Sequence, residues 1–380
     1  MDFELTDEQR LLRDTTREVL SRSSDAERRR AVVATDPGWD RQVWRQMADI
    51  GLLGLSFAED DGGMGAGPVE VAAVMTELGR TLAPEPVLDC ALVPGELVGR
   101  AGTAAQRGSL LPDVASGERL LALAHNEPGV RWPSSVVSTT ATESDGGWVL
   151  TGVKNPVPHG ADADVLLVSA ALPDDRVALF LVDADGAGVQ RHGYATFDGL
   201  RGAQIEFVDA PAEQLGEPLG SADAPDGSAL IADTVIRAQA ALCAEAVGVM
   251  EEALRLTTDY LKSRKQFGVP LAKFQALTHR AADMYVALEL ARSMSLYATL
   301  SLADGVVDPV VASRAKLRIG RSARLIGQEA IQMHGGIGMT DEYPVGHYTA
   351  RLTAIEHTLG GVDDHLRILA AHPNRSVTLL

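Results

Sequence analysis

The stretch Gln332-Met333-His334-Gly335-Gly336-Ile337-Gly338 ends a long amphipathic pattern of helical period near the C-terminus. Two glycines directly after a helix leave backbone groups open where Cβ atoms would crowd a ligand, so a phosphate or a ribose can approach closely. A second stretch, Arg264-Lys265-Gln266-Phe267-Gly268, follows another helical pattern, and its arginine offers a planar fork suited to a pyrophosphate. Each stretch alone also fits an ordinary helix end, since glycines terminate helices and basic side chains complement the helix dipole.

Length and composition indicate a large, fully folded protein. The chain has 380 residues, of which 46% are hydrophobic, and this predicts two or three domains. The net charge of −18 argues against binding to nucleic acid or to anionic membranes, because both require a basic face.

The cysteine content and the N-terminal residues bear on the cellular location. Cys90 and Cys243 are too few for a disulfide framework. The acidic start Met1-Asp2-Phe3-Glu4 lacks the basic and apolar regions of a signal peptide, and no apolar run is long enough to span a bilayer. We therefore expect a cytoplasmic protein with no membrane partner.

The period of the hydrophobic pattern divides the chain into three segments. Residues 1–119 are predicted to form a helical domain, residues 120–219 a domain of strands and residues 228–380 a second helical domain, after a linker at 220–227. Helices followed by strands and then by helices define an α+β fold, in which the two types of element are segregated.

Individual elements are predicted within these segments. Thr6 and Gln9 indicate a capping box at the start of the first helix. The predicted inner face of this helix contains Leu11, Leu12, Thr15, Val19 and Leu20. Further helices are predicted at 40–51, 68–82, 233–263, 273–304 and 309–334. Strands are predicted at 136–142, 148–154, 165–171, 177–182 and 203–208, with hairpin turns at Asp145-Gly146-Gly147 and Asp174-Asp175.

The order of the motifs along nearly the whole chain resembles the acyl-CoA dehydrogenase family. The N-terminal segment carries Gly51-Leu52-Leu53-Gly54, Asp61-Gly62-Gly63 and Glu77-Leu78-Gly79-Arg80, and the two stretches quoted first follow near the C-terminus. The resemblance implies an N-terminal all-α domain, a middle β-barrel domain and a C-terminal four-helix bundle. It also implies FAD as the cofactor and requires no metal.

The resemblance assigns cofactor-binding roles to particular residues. One group is expected to contact the FAD of a neighbouring subunit, and a second to hold the adenosine end, so that the two groups meet one cofactor from opposite subunits. The first group is Arg264, Gln266 and Phe267, together with Gln275 in the position of a family glutamine; the second is Gln332, Gly335 and Gly336. From the residues alone, core packing and helix capping are the favoured roles of Phe267 and Gln275.

Shared sites of this kind imply an oligomer. The expected assembly is a dimer of dimers, or a heterotetramer with a homologue. In the family, a carboxylate base removes the α-proton of an acyl thioester while the β-hydrogen leaves as hydride to the flavin. The expected partners are an acyl-CoA or an acyl-carrier-protein thioester and an electron-accepting flavoprotein.

The positions of the catalytic base depart from the family pattern. Where the family has Glu-Gly-Thr, this chain has Leu359-Gly360-Gly361, and the alternative base position aligns with Ala238. Glu245 lies two helical turns beyond Ala238 on the same face of an otherwise apolar helix, which makes it the candidate catalytic base. The alternative is a structural Glu245 paired with an Arg or His of a neighbouring helix. Glu356 and His357, close to the lost motif, are weaker candidates.

The flavin loop of the middle domain departs as well. His125-Asn126-Glu127-Pro128-Gly129 keeps the first half of the family loop, but Val130-Arg131-Trp132-Pro133 replaces the second half. Pro156-Val157-Pro158 stands where the family has Trp-Ile-Thr beside the flavin ring. Flavin contacts from this domain are therefore expected from backbone groups and from Asn126. The pattern resembles a divergent actinobacterial branch that includes steroid side-chain dehydrogenases of two unlike subunits sharing one flavin.

Three hypotheses about function remain open at this point. The first is an FAD-dependent acyl-CoA or acyl-carrier-protein dehydrogenase that forms an α,β-enoyl thioester with a relocated base. The second is a subunit without a base, whose partner supplies it. The third is a flavin oxidase or monooxygenase with the same fold. The identity of the acyl group is not encoded in any motif found here.

Overall fold

The computed structural model describes residues 5–21, 25–130, 132, 136–144, 147–217 and 226–372. These residues fall into two compact units. The bundle unit comprises Met1–Arg30, Pro68–Ala83 and Gln239–Leu380. The barrel unit comprises Ala31–Gly67 and Pro84–Ala238. The predicted domain boundaries at 119 and at 219–228 stay predictions.

The helices follow the predicted segregation and add several that the sequence pattern did not reveal. In chain order they are α1 (Asp7–Ser21), α2 (Ala26–Val33), α3 (Arg41–Asp49), α4 (Pro68–Thr81), α5 (Val93–Ala101), α6 (Ala104–Ala115), α7 (Gly227–Ser263), α8 (Gln275–Ala303), α9 (Pro309–His334), α10 (Val345–His357) and α11 (Val362–Ala371). Helices α2, α5, α6, α10 and α11 were not predicted individually.

The first helix shows one correct and one wrong prediction. The capping box is confirmed, since the Thr6 N–H donates to Gln9 Oε1 at 2.9 Å and the Gln9 N–H donates to Thr6 Oγ1 at 3.2 Å. The predicted inner face is wrong at Leu11, which is 68% exposed, while Thr16 is buried with Leu20. Thr16 satisfies its hydroxyl within the helix by donating to the Leu12 carbonyl, so its burial leaves no polar group unpaired.

Helices α4 and α7 touch backbone to backbone inside the bundle unit. A Cβ on Gly79 of α4 would lie 2.1 Å from the Glu245 carbonyl oxygen, and a Cβ on Gly248 of α7 would lie 1.9 Å from the Thr76 carbonyl oxygen. Both distances are far below van der Waals contact, so only glycine fits at either position. The Thr76 hydroxyl, which donates to the Ala244 carbonyl at 3.2 Å, adds a hydrogen bond to this crossing.

A chain of ion pairs joins the same helices. Glu77 of α4, 1% exposed, accepts two hydrogen bonds from Arg17 of α1, at 2.8 and 2.9 Å. Arg80, one turn further along α4, pairs with Glu251 of α7, and Glu251 also pairs with Arg292 of α8. Both carboxylates of these ion pairs, Glu77 and Glu251, have guanidinium partners, so their burial leaves no charge uncompensated. The pairs link helices α1, α4, α7 and α8 to one another.

The barrel unit contains a sheet that closes on itself. Its strands are β1 (Leu121–Ala124), β2 (Thr140–Ser144), β3 (Gly147–Pro158), β4 (Val165–Ala171), β5 (Val177–Asp183), β6 (Val189–Ala195) and β7 (Arg201–Gln214). The pairing order β4-β2-β3-β7-β5 returns to β4 through a β4–β5 ladder, with β1 on β4 and β6 on β7 outside this ring. This closure is the barrel that the resemblance implied.

The strand predictions are correct where apolar residues alternate or form a continuous run. The predicted strand at 165–171 matches β4, and the Asp174-Asp175 turn joins β4 to β5 in an antiparallel pair. The strand predicted at 136–142 begins later, at Thr140. Strand β6 was missed because it is largely polar and exposed. The Asp145-Gly146 part of the predicted turn and residues 218–225 of the linker region lie outside the described residues.

The α+β fold, with helical N- and C-terminal regions and a middle sheet, is confirmed. Within the described residues, no helix is both long enough and apolar enough to cross a membrane.

The α4–α7 contact predicts a steric effect of single substitutions. Gly79→Ala should lower the free energy of unfolding by roughly 1 to 3 kcal/mol or more, because the new methyl group forces the helices apart. Gly108→Ala is the control, since this exposed α6 position has nothing within 4 Å of its Cβ and should gain roughly 0.5 to 1 kcal/mol. Urea denaturation followed by circular dichroism measures both. Equal stability of Gly79→Ala and the parent would contradict the packing described.

Candidate functional site

The end of α7 continues into a short, exposed hairpin. Strands β8 (Lys265–Gln266) and β9 (Val269–Pro270) pair in antiparallel register across a turn formed by Phe267 and Gly268. Phe267 has a left-handed φ of 53° and is 91% exposed. Core packing, the alternative role for Phe267, is therefore wrong for the single chain, and the aromatic ring is presented outwards.

The polar side chains of this hairpin also point away from the bundle unit. Arg264 is exposed, and among the described residues its guanidinium has no hydrogen-bond or ion-pair partner. Gln266 is exposed, and its amide donates only to the carbonyl of the adjacent Lys265. Gln275, the first residue of α8, is exposed as well. An unpaired guanidinium beside exposed amide side chains offers donors of the kind that bind a pyrophosphate.

The end of α9 is open to a ligand in the way its sequence predicts. Gly335 has φ 67° and ends the helix, and a Cβ on Gly335 or on Gly336 would meet nothing within 4 Å. Gln332, one turn earlier, is exposed. The backbone of the Gly335-Gly336 turn is thus accessible from outside the chain, which is what close approach of a ribose or phosphate needs.

The helix ends that carry the two groups of predicted cofactor residues are neighbours within one chain. The rings of Tyr260, in the last turn of α7, and His334, the last residue of α9, are 4.6 Å apart between centroids. Arg264 follows Tyr260 by four residues and Gly335 follows His334 directly. One chain can therefore present both groups to the same cofactor, and an origin in opposite subunits is not needed.

Asn126 belongs to the barrel unit, where it sits in a firmly held loop. The Asn126 carbonyl accepts the Asn155 N–H of β3 at 2.8 Å, and its side chain is half-buried. The adjacent Glu127 carboxylate accepts the Ser138 N–H at 2.7 Å and the Thr139 N–H at 2.9 Å. The loop is thus tied to strand β3 and to the segment that enters β2.

A buried lysine completes this anchor. Lys154 of β3, fully buried, donates from Nζ to Glu127 Oε1 at 2.8 Å, to Ser169 Oγ at 3.0 Å and to the His125 carbonyl at 3.2 Å. Burial lowers the pKa of Lys154 to about 8, although its hydrogen bond with Glu127 opposes the change. Burial also opposes ionisation of Glu127, but the bonds from Lys154 and from the Thr139 and Ser138 N–H groups outweigh it and lower the pKa of Glu127 to about 2.

No carboxylate stands at either family position of the base. Ala238 is buried, and Leu359 has a left-handed φ of 55° with its carbonyl accepting the Gln239 amide at 2.9 Å. Buried Lys316 of α9 donates to two carbonyls that precede Leu359 in the sequence, those of Ile355 at 2.6 Å and Thr358 at 2.7 Å. Side-chain donors from Gln239 and Lys316 therefore hold the backbone at and just before the segment that replaces the family's Glu-Gly-Thr, and this segment carries no acid.

Glu245, the predicted catalytic base, has the surroundings of a structural carboxylate. It is 8% exposed, and Arg351 of α10 binds both oxygens: Nε donates to Oε1 at 2.6 Å and Nη2 to Oε2 at 2.9 Å. A carboxylate whose two oxygens are held by one guanidinium is poorly placed to accept a proton from carbon. The base role of Glu245 stays a prediction, and the arrangement favours the structural alternative.

The weaker candidates are similarly engaged or lie at the surface. Glu356 is buried and pairs with Arg324 of α9, whereas His357 is exposed. Across the described residues, no group of three or more His, Cys, Asp or Glu side chains is arranged to hold a metal ion.

The bundle-unit residues fit FAD, the cofactor that the resemblance implies. The open glycine turn after α9 has room that a Cβ would fill, and the exposed Arg264 supplies an uncompensated cation in a chain of net charge −18. The exposed ring of Phe267 adds an apolar surface, and covering it with a ligand would be favourable because it removes that surface from water. These features match the anionic pyrophosphate and the flat rings of this cofactor.

Sequence reasoning missed three groups that shape the site. The Glu127–Lys154 pair gave a usable signal, because a lysine inside an alternating strand has to be either exposed or paired. The ring contacts of Tyr260 and His334 gave none, since they join residues 74 positions apart without any pattern. Arg351 likewise has no local feature that marks it as the partner of Glu245.

Comparison with known proteins identifies related sequences over the whole chain. Family models described as the acyl-CoA dehydrogenase N-terminal, middle and C-terminal domains match residues 6–118, 122–209 and 226–372. The acyl-CoA dehydrogenase IpdE2 of Mycobacterium tuberculosis is 31% identical over 348 residues, which cover 91% of this chain and 91% of that protein.

Two solved structures are similar to the whole chain. One is a variant of the steroid ACAD Tcur3481-Tcur3483, with 34% identity, a TM-score of 0.87 and coverage of 96% of this chain and 97% of that one. The other is the ChsE4-ChsE5 complex of Mycobacterium tuberculosis, with 26% identity, a TM-score of 0.89 and coverage of 99% of this chain and all of that one. Both structures are named as pairs of proteins.

The Glu127 anchor predicts a loss of stability in acid. Because the folded-state pKa of Glu127 is about 2 against an ordinary 4.5, its contribution is complete above pH 4.5 and is lost as the pH falls towards 2. Lys154, with a pKa of about 8, stays protonated throughout this range. Thermal unfolding of the parent and of Glu127→Gln should therefore differ most above pH 4.5 and converge towards pH 2.

The control for this experiment is Glu143→Gln, which changes an exposed carboxylate on β2. Unfolding temperatures of the parent and Glu127→Gln that fall in parallel between pH 4.5 and 2 would show that the anchor does not act as described.

Proposed function

We propose that this chain, which belongs to the acyl-CoA dehydrogenase family, takes part in FAD-dependent α,β-dehydrogenation of an acyl-CoA thioester and receives its catalytic base from a second, unlike subunit. FAD-dependent dehydrogenation of acyl-CoA is the general activity of the family. The proposal concerns how this chain shares that reaction with its partner.

The reaction needs an oxidant, a base and a scaffold that orients the thioester. FAD, when bound, supplies the redox chemistry, which is uptake of the β-hydrogen as hydride. In the proposal Arg264 and Gln266 bind the pyrophosphate, and the Gly335-Gly336 turn holds the adenosine end. Asn126, fixed by the Glu127–Lys154 anchor, contributes the middle-domain contact. What this chain does not offer at the expected positions is the proton acceptor.

The observation that carries the proposal is the combination of Leu359, Ala238 and the Glu245–Arg351 pair. Two positions where the family places its base are aliphatic, and Glu245, two helical turns beyond Ala238 in α7, is bound through both oxygens. Arg351 occupies both oxygens of Glu245, so a catalytic role for Glu245 would require this pair to be broken. A base from another chain removes the need to break it.

The similar structures support a partner of unlike sequence. ChsE4-ChsE5 and Tcur3481-Tcur3483 are each named as two different proteins, and the second is called a steroid enzyme. We propose by analogy a heterotetramer of two copies of this chain and two of a homologue that carries the glutamate. By the same analogy, we propose a bulky, steroid-type acyl group as the substrate class and lipid metabolism as the process. The small side chain of Ala238 in α7 permits such a group.

The redox partner and the compartment complete the proposal. Electrons leave the reduced cofactor to an electron-accepting flavoprotein, because the family's oxidant must be regenerated between turnovers. The buried free thiols Cys90 and Cys243 are compatible with the reducing cytoplasm, which we propose as the compartment.

The FAD site is tested by removing its cation. Arg264→Ala should release much of the bound flavin, since charge-assisted hydrogen bonds to a pyrophosphate contribute roughly 1.5 to 3 kcal/mol each. Lys262→Ala, which removes an exposed cation two residues earlier, is the control and should keep its flavin. Flavin content is measured from the absorbance of the purified protein. Full occupancy in Arg264→Ala would refute the assignment.

The structural role of Glu245 is tested by a nearly isosteric change. Glu245→Gln should destabilise the protein on the order of 3 kcal/mol, because Arg351 is left without its carboxylate. Flavin reduction per folded site in the assembled protein should stay at the parental rate. Glu77→Gln, which breaks the buried pair with Arg17, is the matched control. A reduction rate lowered by roughly 10² to 10⁴ in Glu245→Gln alone would identify Glu245 as the base.

A further inference from the structure

Three aromatic side chains meet inside the bundle unit where α7 and α9 end. Tyr260 lies in the last turn of α7, His334 is the last residue of α9, and Tyr343 precedes α10. Their ring centroids are 4.6 Å apart for Tyr260 and His334, 4.9 Å for His334 and Tyr343, and 6.2 Å for the two tyrosines. We call these three residues the ring cluster.

His334 is the central and most buried member of the ring cluster. It is 4% exposed, and its Nδ1 donates to the Ala330 carbonyl at 2.7 Å. Burial lowers the pKa of His334, which favours the neutral imidazole. The ring is thus held in place by packing against the tyrosines and by the hydrogen bond of Nδ1 to the Ala330 carbonyl.

The ring cluster lies directly beside both groups of cofactor-binding residues in the bundle unit. The Arg264 N–H donates to the Tyr260 carbonyl at 2.8 Å, so the backbone that carries the guanidinium starts from the ring cluster. Gly335 follows His334 with a positive φ, so the open turn starts from it as well. The backbones that carry Arg264 and the Gly335-Gly336 turn therefore both start from residues of the ring cluster.

We propose that His334 and Tyr260 are positioning residues, which set the separation between Arg264 and the Gly335-Gly336 turn so that one chain grips one FAD molecule with both. This inference rests on the proposed FAD site. A planar guanidinium binds a pyrophosphate only within a narrow range of position and angle, and tolerance at a preorganised site is about 0.5 Å. The packed rings of Tyr260 and His334 lie where the Arg264 segment and the Gly335-Gly336 turn begin. They restrict the positions of these two exposed segments.

A double-mutant cycle on FAD affinity tests the coupling. FAD is titrated into the assembled apoprotein of the parent, Arg264→Ala, His334→Ala and the double variant. In the parent background, Arg264→Ala should weaken FAD binding about tenfold or more. In the His334→Ala background the same change should weaken it less than about threefold, because a displaced Arg264 no longer reaches the pyrophosphate. A purely structural His334 would lower the unfolding temperature and leave the effect of Arg264→Ala unchanged.

Two further variants separate positioning from stability. His334→Phe keeps an aromatic ring in the ring cluster and should restore most of the parental effect of Arg264→Ala. Met284→Ala makes a cavity at a fully buried position of α8 outside the ring cluster and should leave that effect intact. If His334→Ala does not fold, Tyr260→Leu provides the same test from the α7 side.

The outcomes distinguish this inference from the function on which it rests. Equal effects of Arg264→Ala in the parent and in the His334→Ala background would overturn the positioning role while leaving the FAD site intact. No effect of Arg264→Ala in the parent would overturn the FAD site itself.

Discussion

The bundle unit depends on the direct backbone contact between α4 and α7. Gly79 and Gly248 allow each helix to approach a carbonyl of the other, and no other residue type fits at either position. This contact sets the course of α7, whose later part carries Glu245 and leads to Arg264. The ion pairs of Glu77 with Arg17 and of Arg80 with Glu251 then fix the helices that flank it. The family motif Glu77-Leu78-Gly79-Arg80 therefore has a packing role that can be stated residue by residue.

Two buried carboxylates of this chain are bound by arginines, which bears on whether either can act as a base. Glu245 and Glu77 are both buried and both bound through two oxygens by a single arginine. Such pairs occupy both carboxylate oxygens and fix their direction, which suits a structural role better than proton transfer. The cofactor-binding groups show the opposite character, since Arg264 and the Gly335-Gly336 turn remain exposed. The chain thus carries the features of a flavin-binding scaffold and lacks a base at both family positions.

The sequence predicted the segregated α+β fold and most helix and strand positions, because these depend on local period and on glycine or aspartate turns. It also predicted the open Gly335-Gly336 turn and the exposed Arg264, since a helix end constrains its own backbone. It could not predict the partner of Glu245, because a buried glutamate has the same local pattern whether it is a base or half of an ion pair. The contact of Tyr260 with His334 is equally hidden, as it depends on how two long helices pack.

The central claim is that the base comes from another subunit, and anaerobic reduction of the flavin tests it most directly. The chain is purified alone, loaded with FAD and mixed with an acyl-CoA, and the same mixture is made with the chain assembled with a homologue that carries the family glutamate. The account predicts that the flavin absorbance persists in the chain alone and is bleached in the complex. Rapid bleaching by the chain alone would contradict it, because a base would then have to lie within this sequence.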